Sequence, residues 1–110
     1  MAATPASFPP TTHVVEMDGT KVRTLRAFYP RIARALLFPD YFGANLDALL
    51  DCLCSLEVLG KSEVILHIKN KDAFLSKEKE AKRTAALQVL KDAALPANRY
   101  DGVVFRCVWG

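Results

Sequence analysis

No stretch of the 110 residues is apolar over the ~18–20 positions that a membrane-crossing helix requires, so no membrane association is expected. Cysteine is scarce: Cys52, Cys54 and Cys107 are an odd number with no staple-like spacing, so no disulfide framework is expected. On one helix, Cys52 and Cys54 would point about 160° apart, too divergent to chelate one ion or bridge each other. There are only two histidines, His13 and His67, and no glycine-rich phosphate loop. His67, beside Lys69 and on the same strand face as Glu63, reads as a surface or half-buried residue. No metal ligand set stands out, and no cofactor is expected. Residues 1–12 hold no Lys or Arg and no apolar core segment, so no secretory signal is expected in them. With Pro5, Pro9 and Pro10 among Ala, Ser and Thr, they read as a disordered tail. The domain is therefore expected over residues 13–110, in the cytoplasm with its thiols reduced.

What is present is enough for one compact domain. Hydrophobic residues make up 51% of the chain, and folding at this length should bury roughly 65% of the unfolded surface. The net charge is +3, but the sign is unevenly spread. Residues 35–60 contain Asp40, Asp47, Asp51 and Glu57 and no Lys or Arg, a local charge of −4. The remainder carries +7. An acidic island on a basic body is more informative than the total, because a partner responds to the local field.

The periodicities alternate along the chain. Residues 13–17 are a short β-rich run, closed by the turn dipeptide Asp18-Gly19. Leu25, Phe28, Ile32, Ala35 and Leu36 fall at helical spacing. Proline is tolerated in a first turn, so Pro30 places this helix at about 27–37, starting near Arg26 or Ala27. Pro39 then stops it. Asn45 is a good N-cap for a second helix over about 45–57, with a stripe of Leu46, Leu49, Leu50 and Leu53. Val64, Leu66 and Ile68 alternate in a strand over 63–68. Residues 71–75 read as a helical turn, and Ser76 as the cap of a helix over 77–94. Val103, Phe105, Cys107 and Trp109 mark a last strand over 103–109. The expected fold class is α/β: a small domain with a three-stranded parallel sheet packed with about four helices.

Asp47 and Asp51 lie away from the leucine stripe on the second helix. They are like charges at i, i+4, an arrangement that costs an isolated helix ~0.2–0.5 kcal/mol. No Lys or Arg sits three or four positions from either. Tyr41, Phe42 and Gly43 precede the helix, and aromatics beside charges are typical of protein-binding hot spots. Residues 38–53, Phe-Pro-Asp-Tyr-Phe-Gly-Ala-Asn-Leu-Asp-Ala-Leu-Leu-Asp-Cys-Leu, closely resemble the signature of the barstar family of intracellular ribonuclease inhibitors. The resemblance extends back to residues 22–25 and, more weakly, to residues 87–93.

That resemblance implies a plug for a ribonuclease active site, in which helix carboxylates stand in for RNA phosphates. Carried over by motif, the partner-binding residues are Tyr41, Gly43, Asn45, Leu46, Asp47, Leu50 and Asp51, with Asp92 from the weaker stretch. Asp51 takes the family's central carboxylate position. Leu50 stands where the family has an interfacial Trp, Ala44 where it has a Glu, and the positive total charge differs from the acidic inhibitor. The expected partner is a ribonuclease, barnase-like or otherwise, or a similar toxin with a basic active-site cleft. The free chain is expected to be monomeric. One alternative is a barstar-fold module serving a different protein. Another is nucleic-acid binding through Arg23, Arg26, Arg31 and Arg34, but no readable RNA-binding motif accompanies them. Catalysis is not expected, since Asp47 and Asp51 have neither a nucleophile nor a metal set beside them.

Overall fold

The computed structural model describes residues 11–40 and 42–110. Three strands, β1 (Thr12–Asp18), β2 (Glu63–Lys69) and β3 (Val104–Trp109), form one sheet in the order β1-β2-β3, both pairings parallel. Among the described residues there are three α-helices: α1 (Leu25–Ala35) and α2 (Leu46–Leu53) between β1 and β2, and α3 (Glu80–Ala94) between β2 and β3. The expected fourth helical piece, residues 71–75, is a run of single turns. The N–H groups of Leu75 and Lys77 donate to the carbonyls of Val22 and Arg23, so they cannot continue a helix. Most of residues 1–12 lie outside the described residues, and Thr12 already pairs with Glu63 in β1.

The alternation read from the sequence decides what each strand buries. Val15, Met17, Val64, Leu66, Ile68 and Phe105 point into the core beneath the helices. From the helices, Phe28, Ile32, Leu49, Leu53 and Leu90 meet them. The opposite sheet face is laced with charge. Glu16 contacts both His67 (3.5 Å) and Lys69 (3.4 Å), while Glu63 pairs with Arg106 (2.8 Å). The acid facing His67 is thus Glu16, its register partner on β1, and not Glu63 of its own strand. His13 is used structurally, its Nε2 lying 3.1 Å from the Ala35 carbonyl. Gly19 follows β1 because a Cβ there would come within 2.3 Å of the Asn70 carbonyl.

Helix ends depart from expectation for a common reason: distant side chains take their backbone groups. α1 begins at Leu25, earlier than Pro30 implied. Thr24 accepts from Ala27 N–H, and the Glu78 carboxylate accepts from Leu25 N–H at 2.6 Å. With both caps filled, the helix extends over Pro30 at the loss of one hydrogen bond. Because Glu78 caps α1, it is withheld from α3, which starts at Glu80 without Ser76 or any other side chain capping it. α2 is capped by Asn45, whose Oδ1 accepts from Ala48 N–H at 2.8 Å. It stops at Leu53 and not near residue 57, since Leu56 N–H donates to Asp101 at 2.6 Å.

Asp101 forms an almost fully buried ion pair with Arg99 at 3.0 Å, each side chain only 3% exposed. Its carboxylate also accepts from Val103 N–H, and Arg99 Nη1 donates to the Ala93 carbonyl. Burial alone would raise the Asp101 pKa; the bonds from Arg99, Leu56 and Val103 outweigh it and hold it below the ordinary carboxylate value. Asp101→Ala should therefore destabilise the fold by about 3–5 kcal/mol, since it strands a buried guanidinium. Thermal and denaturant unfolding check this. Asp18 is also depressed, to about 2, by bonds from Asn70 and Thr20. Both groups are more acidic folded than unfolded, so their stabilisation is present at neutral pH. It should drain away as pH falls below the ordinary carboxylate range towards about 2.

Candidate functional site

The connection from α1 to α2 is held by rings and by left-handed backbone. Leu37, at φ 55°, takes the position just past the α1 cap, and Phe38 N–H reaches back to the Ala33 carbonyl. This is a Schellman-type ending with leucine where glycine is usual. Ala44, at φ 49°, is the second such residue, immediately before the Asn45 cap. Non-glycine residues in this region carry strain, which tends to collect in binding loops. Phe42 is a packing anchor, its ring edge-on to Phe38 (5.0 Å) and Tyr29 (5.9 Å). Tyr41 lies outside the described residues.

α2 presents two surfaces. Leu49 and Leu53 are fully buried, while Leu46 and Leu50 are half-buried against the core. Asp47 and Asp51 are exposed one turn apart, and among the described residues neither makes an ion pair. Gly43 and Asn45 are exposed at the head of the helix. The Asn45 side chain spans its own turn, from the Gly43 carbonyl to Ala48 N–H. Asp92 is half-buried on α3 and accepts from Gln88 at 2.9 Å. The Cys54 thiol connects it with α2: burial raises that thiol's pKa first, and Asp101, Asp51 and Asp92 add to the rise. Asp51 and Asp92 thus lie near the C-terminal end of α2, while Asp47 sits in its first turn. Cys52, Cys54 and Cys107 are all free thiols, Cys107 being pushed up to about 12 by burial.

Sequence reasoning missed the apolar rim of this surface. Leu37, Val58 and Tyr100 are 58%, 64% and 72% exposed, and all three line one hollow of about 440 Å³ together with Asp51. The backbone fixes Tyr100 there, because its N–H donates to the Cys54 carbonyl at the end of α2. The charge of Asp51, and hydrogen bonding to its carboxylate, raise the Tyr100 pKa above its ordinary 10.0. The only local hint was the turn-forming run of residues 99–102.

The sequence profile of one family, described as Barstar (barnase inhibitor), matches residues 12–110. The chain belongs to the barstar family. It is also similar to a protein of Bacillus subtilis (strain 168) named "Putative ribonuclease inhibitor YrdF", with 34% identity over 59 residues. That match covers 54% of this chain and 65% of the relative, so this chain spans a little under two thirds of the relative's length. Leu50, at the position where the resemblance implied a Trp, lies half-buried. The exposed apolar area on this side comes from the Leu37, Val58 and Tyr100 rim instead.

The coupling of Asp51 to Tyr100 is directly measurable. Asp51→Asn should lower the pKa of one tyrosine back towards 10.0 in a spectrophotometric titration, and the difference should vanish in a Tyr100→Phe background. Neither Asp47→Ala nor Asp51→Ala should change folding stability by more than about 0.5 kcal/mol in thermal melts, as is usual for exposed sites.

Proposed function

We propose that this chain is a protein inhibitor of a ribonuclease, laying α2 and its preceding loop across the enzyme's active site. The observation that carries this reading is the pair Asp47 and Asp51, exposed one turn apart and without an ion-pair partner among the described residues. A fold gains nothing from two repelling carboxylates on one helix face. A cleft built to hold RNA phosphates gains a great deal, because its Arg, Lys and His groups keep a counter-charge when water is excluded. Asp51 faces the centre of that cleft in this reading, and Asp47 and Asp92 flank it. Tyr41, Gly43, Asn45, Leu46 and Leu50 supply close contact around the carboxylates.

Family membership and the ribonuclease-inhibitor name of the Bacillus relative support the role. The details of partner choice differ from a strongly acidic inhibitor. With a net charge of +3, this chain attracts a basic enzyme only through its local acidic face. Association with the partner should then owe less to long-range steering and more to contacts made after docking. The rim of Leu37, Val58 and Tyr100 offers such contacts beside Asp51. The partner in this reading is a ribonuclease, barnase-like or a related toxin, with a basic cleft and an apolar patch next to it.

The test is titration of a barnase-like ribonuclease with the chain while RNA cleavage is followed. Activity should fall with inhibitor concentration. Asp51→Ala should weaken inhibition by about 2–5 kcal/mol, a range drawn from interfacial charge pairs that include the barnase–barstar complex itself. Asp47→Ala should cost less, and Leu50→Ala less again, since it removes only apolar contact. If Asp51→Ala lowers the melting temperature sharply while inhibition persists, the acidic face is structural and the proposal fails.

A further inference from the structure

A second surface of opposite character lies on the far flank of α3. Lys71, Asp72, Arg83, Leu87, Lys91 and Trp109 line a hollow of about 200 Å³. It opens just beyond the carboxyl ends of β2 and β3: Trp109 is the last residue of β3, and Lys71 follows β2 by two residues. Arg83, Leu87 and Lys91 are spaced i, i+4, i+8 and form one stripe along α3. At 100° per residue the stripe's centre lies about 140° around the helix from Asp92. The hollow and the acidic surface are therefore on different sides of the molecule, and one does not depend on the other.

The chemistry of the hollow is unbalanced. Three cations face one carboxylate, Asp72, and among the described residues none of the three makes an ion pair. Arg83 goes further: its Nε is shielded from solvent and has no hydrogen-bond acceptor. A buried donor left without an acceptor is costly, and native structures almost always satisfy it. No protein acceptor takes this edge of the guanidinium, whose Nε–H and one Nη–H form a fork. That planar fork matches the spacing of phosphate oxygens. Beside it stands half-buried Trp109, held on one side by Phe74 at 5.9 Å. An indole next to a cationic phosphate cradle is how base and backbone of a nucleotide are held together.

We propose that this hollow binds a nucleoside phosphate, the phosphate on Arg83, Lys71 and Lys91 and the base against Trp109. The volume suits one phosphate and part of its attached nucleoside; it is small for a larger cofactor. The proposal is independent of the ribonuclease-inhibitor reading and would survive its failure.

The chain's single tryptophan makes the test direct. Adenosine monophosphate should change Trp109 emission saturably, adenosine without its phosphate should not, and added salt should weaken the effect. Inorganic phosphate should compete, but more weakly than the nucleotide; equal affinity would overturn the part assigned to Trp109. A short oligoadenylate binding with the same variant profile would place the site on RNA, and binding only the monomer would place it on free nucleotide. Arg83→Gln should weaken binding by about tenfold, the usual consequence of losing one charge-assisted contact. Lys91→Ala, at an exposed position, should weaken it without disturbing the fold. Asp51→Ala should leave nucleotide binding unchanged. No saturable change with the nucleotide, or no loss in Arg83→Gln and Lys91→Ala, overturns the proposal.

Discussion

The buried pair of Arg99 and Asp101 ties three elements to one point. Arg99 holds the Ala93 carbonyl at the end of α3, and Asp101 holds Leu56 N–H beyond α2 and Val103 N–H at the approach to β3. Ion pairs this deep contribute little net stability, because desolvation cancels much of the Coulomb gain. What they contribute is placement. The four bonds to the Asp101 carboxylate leave one arrangement of the 99–103 segment compatible with a buried charge. That arrangement ends α2 at Leu53 and sets Tyr100 outward beside Asp51. The geometry of the exposed acidic face is thus inherited from a pair of residues that never reaches it.

The shortness of α2 limits what it can present. Two turns of helix carry one buried stripe, Leu49 and Leu53, and one exposed pair of acids. The stripe anchors the helix to the sheet, and Asn45 closes its first turn without help from Asp47 or Asp51. Neither carboxylate caps the helix or, among the described residues, forms an ion pair, and Asp51 accepts only from the exposed Tyr100, so both can still accept from a partner. The connection before the helix is built with the same economy. Phe42 packs inward on Phe38 and Tyr29, leaving Gly43, Ala44 and Asn45 exposed as a low-relief approach to the acids.

The strands and the helix faces were legible because each depends on a local period. Val64, Leu66 and Ile68 alternate whatever the rest of the chain does, and Leu49 and Leu53 are one turn apart on any helix. The unpaired Asp47 and Asp51 were legible for the same reason. The helix ends were not. α1 starts where it does because of Glu78, 53 positions away, and α2 stops because of Asp101, 45 positions away. A local reading sees Glu78 as a first-turn acid for its own helix, and nothing near Leu56 announces a stop. Tyr100 was invisible likewise, since its importance comes from a backbone bond to Cys54.

The uneven charge in the sequence becomes a division of surfaces in the fold. The α2 acids lie on a segment without any cation, and Arg83 and Lys91 of α3 are turned from Asp92 by the helix itself, whereas Lys82 lines a hollow with Arg26 and Asp47. Pairing Asp51 with such cations would neutralise both, at a gain of about half a kcal/mol per exposed pair. Around Asp51, folding forgoes that small gain and keeps a local field opposite in sign to that of the Arg83 and Lys91 flank. A field's reach in solution is about a Debye length, roughly 8–10 Å at physiological salt. On a domain this size, surfaces on opposite flanks of α3 are screened from each other. A net charge of +3 therefore does not blunt the acidic face for a partner already in contact. It acts earlier, on approach, where the whole molecule's charge is still felt.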